Sequence, residues 1–268
     1  MLSRYTREYN QIFIDSNPIT GIQSIASSYE SPLENIRYLG QNDNILNNVP
    51  IGLFVGAVNL EALLVNSDPF IKYTGELPAN IMIQYENNKI IMNSGYLTEY
   101  NFDCGIGTIP SVTSKWNIYN EFGSGIANSL PFSIDESRLN IVNPGDIEIN
   151  FSEIEREKVN NLSINVRSNR LPIYDATDSK PKEVKLQYPV AVTVTYSISL
   201  NDYKMKNLYD YPRKKHKYDF TINLKKNNTN TIINSFQIND AYLIKEDYNT
   251  DVDGSALMQL TYSSTITR

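Results

Sequence analysis

The sequence predicts an all-β protein made of two tandem, similar β-sandwich or half-barrel domains, and three observations lead there. Apolar residues alternate with a period of two in segment after segment, and convincing helical periodicity is scarce. The order of predicted elements in the first half also recurs in the second. The clearest strand is Val190 to Leu200: Val190, Val192, Val194, Tyr196, Ile198 and Leu200 share one face, and Ala191, Thr193, Thr195, Ser197 and Ser199 the other.

In the first half a predicted hairpin runs from about Gln11 to Asp15 and back from Ile22 to Tyr29. It closes on a Ser-x-x-x-Pro sequence from Ser28 to Pro32. Pro50 then opens an apolar run, Ile51 to Val65, because proline at the first position of a strand loses no interior ladder bond. A short helical turn is expected around Phe70 to Tyr73. A strand at Ile81 to Tyr85, an Asn-rich turn at Glu86 to Lys89, the pair Tyr96-Leu97 and a last strand at Ser111 to Tyr119 complete the half.

The second half repeats this order. Its hairpin, Ile147 to Phe151 and Leu162 to Ser168, ends in a second Ser-x-x-x-Pro at Ser168 to Pro172, and Pro189 opens the Val190 strand. After a variable loop, with a short helical turn expected near Tyr203 to Leu208, come a strand at Phe220 to Leu224 and an Asn-rich turn at Lys225 to Asn228. The pair Tyr242-Leu243 and a last strand at Leu257 to Thr267 follow. The expected boundaries are residues 1–125 for the first domain, 126–145 for a linker and 146–268 for the second. Gly123 to Gly125, Leu130-Pro131 and Asn143-Pro144-Gly145 punctuate that connection.

Composition narrows the function classes. A single cysteine, Cys104, excludes an internal disulfide and a cysteine-cluster metal site, and a single histidine, His216, excludes a two-histidine metal site. No apolar stretch reaches the roughly 20 residues of a membrane-spanning helix, so no membrane partner is expected. The opening residues carry no stretch of signal-peptide character, which reads as a soluble, unprocessed chain. The formal charge of −6 is uneven: up to Ile149 there are 7 Lys+Arg against 16 Asp+Glu, and from Asn150 onward 17 against 14. An acidic and a mildly basic half would attract each other between copies.

Catalytic and ligand sites find little support. His216 lies in the basic tract Arg213 to Lys217, which reads as an exposed loop rather than a triad. Cys104 reads as a small buried thiol with no base beside it. Asn249 to Gly254 resembles the first half of a calcium loop, but Leu260 stands where the closing glutamate belongs, and Asp253-Gly254 is a hairpin signal. The sequence therefore predicts no catalytic residue, no metal and no cofactor.

Several short stretches resemble a known group. They are Ile19 to Ile25 with Tyr29, Leu39-Gly40, Asn66 to Phe70 with Tyr73 to Gly75, Ser94 to Thr98, and Gly105 to Pro110. Together they resemble the tail-tube proteins of tailed bacteriophages, in the version with a duplicated tube domain. The resemblance implies a structural virion protein, assembled in the host cytoplasm, whose three two-domain chains make a pseudo-hexameric ring. It further implies stacked rings that form a conduit for DNA ejection, with self-association, other tail proteins and non-specific passage of DNA as the partners. A trimeric baseplate hub or distal tail adaptor shares that plan, and a carbohydrate-binding β module is the rival from another class, since tyrosine faces stack on sugars.

Overall fold

The computed structural model describes residues 10–30, 33–36, 47–50, 55–65, 67–85, 88–105, 108–120, 122–126, 142–151, 157–175, 180–199, 216–226, 231–249 and 256–267. The chain is all-β. In order the first half gives β1 (Asn10–Ile14), β2 (Asn17–Pro18), β3 (Ile22–Glu30), β4 (Leu33–Ile36), β5 (Asn47–Pro50) and β6 (Val55–Leu63). A 3-10 turn (Ile71–Tyr73), β7 (Ala79–Tyr85), β8 (Asn88–Gly105), β9 (Ser111–Ile118) and β10 (Phe122–Ile126) follow. The second half gives β11 (Val142–Phe151), β12 (Glu157–Arg167), β13 (Arg170–Ile173), β14 (Glu183–Leu186), β15 (Val190–Ser199), β16 (Tyr218–Lys226), β17 (Ile232–Asn249) and β18 (Leu257–Ile266).

Each half folds as two layers joined by one long strand. In the first, β3, β6, β9 and the C-terminal part of β8 pair in that order, while the N-terminal part of β8 pairs with β7, and β7 with β1. In the second, the order β12, β15, β18, C-terminal part of β17 matches it, and the N-terminal part of β17 pairs with β16, and β16 with β11. The strand-for-strand match extends to the irregularities. Register shifts fall between Ile22 and Ser24 and between Val159 and Asn161, in β8 between Leu97 and Glu99, and in β17 between Leu243 and Lys245.

The point where the long strand changes layer is matched as well. Ser94 (φ 58°) and Asp240 (φ 52°) are both left-handed, a conformation that serine and aspartate adopt at some cost. The backbone N–H of Ser94 donates to Asn80 Oδ1 at 3.4 Å, and that of Asp240 donates to Asp219 Oδ1 at 2.8 Å, from the same place on the neighbouring strand. A side-chain acceptor thus meets the bent N–H in each half.

Alternation fills the space between layers. Val58, Leu60 and Ala62 on β6 with Leu64 just past its end, and Val190, Val192, Val194, Tyr196 and Ile198 on β15, are buried. Trp116 is buried against Phe70 and Tyr73, with ring centroids 6.3 Å and 5.3 Å away, and its Nε1–H donates to Ser114 Oγ at 2.8 Å. Tyr262, at the matching place on β18, packs against Tyr196, Tyr218 and Phe220. Equivalent aromatic side chains centre both cores.

Several sequence expectations need correction. The first predicted hairpin is not one: β1 pairs with β2 and β7, whereas β3 pairs with β6, so the two strands lie in different layers. In the second half β11 and β12 pair over only two residue pairs before separating in the same way. Pro50 closes the small β4–β5 hairpin rather than opening β6, while Pro189 does precede β15. Pro32 comes before β4 whereas Pro172 is inside β13, so the two Ser-x-x-x-Pro sequences are not structurally equivalent. The predicted turn at Phe70 to Tyr73 is the 3-10 turn. The segment Tyr203 to Leu208 and most of Asn249 to Gly254 lie outside the described residues, as does 127–141 of the linker, whose flanks belong to β10 and β11.

Candidate self-assembly interface

The two halves meet edge to edge. The C-terminal part of β8 pairs antiparallel with β12 from Glu99↔Arg167 to Gly105↔Asn161, which places Phe102 opposite Ile164 and Tyr100 opposite Val166. This joins the two four-stranded layers into one antiparallel sheet of eight strands: β3, β6, β9, β8, β12, β15, β18 and β17. Its core face at the joint is aromatic and aliphatic, with the Tyr100 hydroxyl as a polar group. Tyr100 and Phe102 are 0% exposed, and Phe102 contacts Phe236 of the other half at 5.4 Å between ring centroids.

The outer face of the joint is polar and paired. Lys115 Nζ donates to Glu99 Oε2 at 2.6 Å, Asn165 Nδ2 donates to Glu99 Oε1 at 3.3 Å and to Asn101 Oδ1, and Arg167 Nε lies 3.9 Å from Glu99 Oε1. The Lys115 hydrogen bond, acting against partial desolvation, holds the Glu99 carboxyl below the usual glutamate range.

A second set of contacts pins the end of β12. Asp68 accepts from Tyr100 Oη at 2.5 Å and from the backbone N–H of Phe70 and Ile71 at 2.8 Å and 3.2 Å, which shapes the 3-10 turn. Burial pushes the Asp68 carboxyl up, and these donors pull against it. The shaped turn presents its carbonyls to the other half: Arg170 donates to the oxygens of Gly75 at 2.7 Å, Tyr73 at 3.3 Å and, from β8, Leu97 at 2.9 Å. Ser168 Oγ donates to Thr74 O at 3.1 Å, and Ser168 N donates to Thr98 O at 2.8 Å. The loop from Asp68 to Pro78 thus makes contacts between the two halves of one chain.

Two edges of the eight-stranded sheet have no strand beside them among the described residues: β3 on one side and the C-terminal part of β17 on the other. They are the counterparts of β12 and of the C-terminal part of β8. The open edges carry Tyr29 (38% exposed), Tyr242 (38%), Ile244 (58%) and Tyr248 (56%), whereas Val166 and Phe102, the counterparts of Tyr29 and Tyr248, are buried at the joint. Open edges invite pairing with another chain.

The residues weighed for chemistry do not converge. Cys104 is buried, and burial pushes its thiol up to about 12, far from the reactive range. His216 packs edge-on against Tyr218 at 4.7 Å. Among the described residues no group of three His, Cys, Asp or Glu side chains is placed to hold a metal ion, and no helix is long and apolar enough to cross a membrane. The functional residues that sequence reasoning missed are those of the joint. One available signal was the match of Asn93 to Leu97 (Asn-Ser-Gly-Tyr-Leu) with Asn239 to Leu243 (Asn-Asp-Ala-Tyr-Leu), which marks β8 and β17 as equivalent.

Two outcomes follow from the joint. Arg170→Ala removes charge-assisted bonds to three carbonyls and is expected to lower stability by about 2–4 kcal/mol in chemical denaturation, with Arg170→Lys recovering only part of it. Because the folded Glu99 carboxyl titrates lower than the unfolded one, its stabilisation is present above the ordinary glutamate pKa and lost as pH falls through the folded value. Glu99→Gln should therefore lower the Tm by about 1–3 °C at neutral pH, with the difference from wild type shrinking as pH falls below the ordinary glutamate range in a thermal melt series.

No protein-family model matches the chain, and no curated protein does. Among solved structures the chain is similar to Hcp1 from Flavobacterium johnsoniae at 13% sequence identity, over 44% of this chain and 93% of that one, with a TM-score of 0.28. A likeness of that extent fixes neither fold nor function, and the joint and its two matching open edges stand on the geometry of this chain.

Proposed function

We propose that this is a structural, non-enzymatic protein that self-associates edge to edge into rings of three chains, and that the rings stack into the tail tube of a bacteriophage virion, a conduit for DNA. The single observation that carries the reading is the open sheet whose two ends match. Within a chain one half already offers its β8 edge to the β12 edge of the other, and among the described residues the same two kinds of edge, β17 and β3, stand open at the ends. Eight antiparallel strands leave the ends with the opposite strand directions that antiparallel continuation needs. A heterologous contact of this kind makes a ring when its rotation closes.

The number of chains and the stacking come from the tail-tube resemblance of the sequence, and the dimensions agree with it. Three sheets supply twenty-four strands, which at about 4.8 Å spacing and a tilt of ~40° make a circle about 50 Å across between backbones. That leaves a lumen wide enough for duplex DNA after side chains. The face of the sheet turned away from the cores carries chiefly Ser, Thr and Asn, as at Asn59, Thr113, Ser163, Thr193, Thr261 and Ser263. A lumen with few cations forms few contacts to phosphate, which suits passage without sequence-specific binding.

Electron microscopy of the purified chain tests this. The reading expects stacked rings with a central channel. Isolated trimers that never stack would move the assignment to a baseplate hub or tail adaptor, and a chain that stays monomeric at high concentration while binding glycans would replace it with a carbohydrate-binding module.

A further inference from the structure

The joint within the chain dictates the register of the joint between chains. Matching β12 to β3 through their shared register shift makes Asn165 the counterpart of Ser28, Val166 of Tyr29 and Arg167 of Glu30. Matching β8 to β17 through theirs makes Glu99 the counterpart of Lys245, Asn101 of Asp247 and Phe102 of Tyr248. Resting on the self-assembly reading above, we propose that β3 of one copy pairs antiparallel with the C-terminal part of β17 of the next in a single register, Glu30 opposite Lys245 and Ser28 opposite Asp247.

The side chains support this register in three ways. First, the charges are complementary with reversed polarity: Glu99 on β8 faces Arg167 on β12 inside the chain, whereas Lys245 on β17 would face Glu30 on β3 between chains. Mixing the two kinds of edge would set Glu30 against Glu99, or Arg167 against Lys245. Like charges directly opposite each other disfavour both errors, so the reversal keeps internal and external joints distinct.

Second, the core face is left incomplete in the way this register repairs. Phe102 is covered by Phe236 inside the chain, while its counterpart Tyr248 is 56% exposed. The counterpart of Phe236 is Ile90, on the N-terminal part of β8, and the register brings Ile90 of the next copy over Tyr248. Third, Glu246 sits on the same face of β17, opposite Leu260, with a buried Oε1 that has no protein partner. The register places Tyr29 of the next copy opposite Glu246, where the two can meet at the completed joint.

Cysteine cross-linking of the full chain reads the register, since Cys104 is buried and unreactive. Directly opposed residues of an antiparallel pair have Cα atoms about 4.5–5.5 Å apart, within disulfide reach, whereas diagonal neighbours stand about 7–8 Å apart and beyond it. Under mild oxidation the double variant Ser28→Cys/Asp247→Cys is expected to form covalent dimers and a closed trimer. The offset pair Ser28→Cys/Lys245→Cys should cross-link at least about tenfold more slowly. In sedimentation, Glu30→Lys should raise the dissociation concentration about tenfold, and adding Lys245→Glu should restore it.

Rings that persist by microscopy but cross-link through the offset pair, or through Ser28→Cys alone between two like edges, would overturn this register and leave the self-assembly reading standing. A wild-type chain that stays monomeric would overturn that reading, and the register with it.

Discussion

The antiparallel pairing of β8 with β12 is the constraint on which the rest depends. Neither four-stranded layer could leave that edge exposed without presenting unpaired backbone groups and the apolar side chains of Tyr100 and Phe102 to water. Pairing satisfies both at once and sets the two cores side by side under one continuous sheet. Among the described residues the same pairing also leaves two open ends of matching kind. A duplicated sheet that completes only its internal joint is unfinished in a way another copy can supply.

What holds the joint is layered by environment. On the core face it is packing: Phe102 against Phe236, with Ile164 and Val166 alongside. On the outer face it is the Glu99 cluster, which contributes modestly because Lys115 and Arg167 remain largely exposed. At one end it is Arg170, held by carbonyls that Asp68 and Tyr100 have arranged. Arg170 belongs to the internal joint only, because its counterpart at the start of β4 is Leu33. The internal joint thus carries an anchor that the proposed joint between copies would lack.

Much of this fold was legible in the sequence where one face is buried and the other wet. Val190 to Leu200 gave β15 to within a residue at its end, and Ser111 to Tyr119 gave β9 likewise, because period-two alternation is the direct imprint of that environment. The strands of the two halves also recur in one pairing order, although the predicted hairpins and their Ser-x-x-x-Pro ends do not. The layer change inside β8 and β17 was hidden, since Ser94 and Asp240 take a left-handed conformation without a glycine to announce it. The joint was hidden too: alternation says which residues share a face, but not which edge meets which. The Ser-x-x-x-Pro sequences misled because the hairpins that follow β3 and β12 place their prolines differently, while the register shifts at Gln23 and Asn160, which carry no composition signal, were the true markers.

Amide hydrogen exchange of the assembled chain against the dissociated chain tests the central claim most directly, because it reports on backbone pairing itself. One kind of joint, used within and between chains, predicts that the alternate, outward-pointing amides of β3 from Ser24 to Glu30 and of β17 from Lys245 to Asn249, those not bonded to β6 or β18, exchange fast in the dissociated chain. On assembly they should reach the protection of their counterparts in β12 and β8. An assembled particle in which both edges keep exchanging at the rate of the free chain would contradict the account.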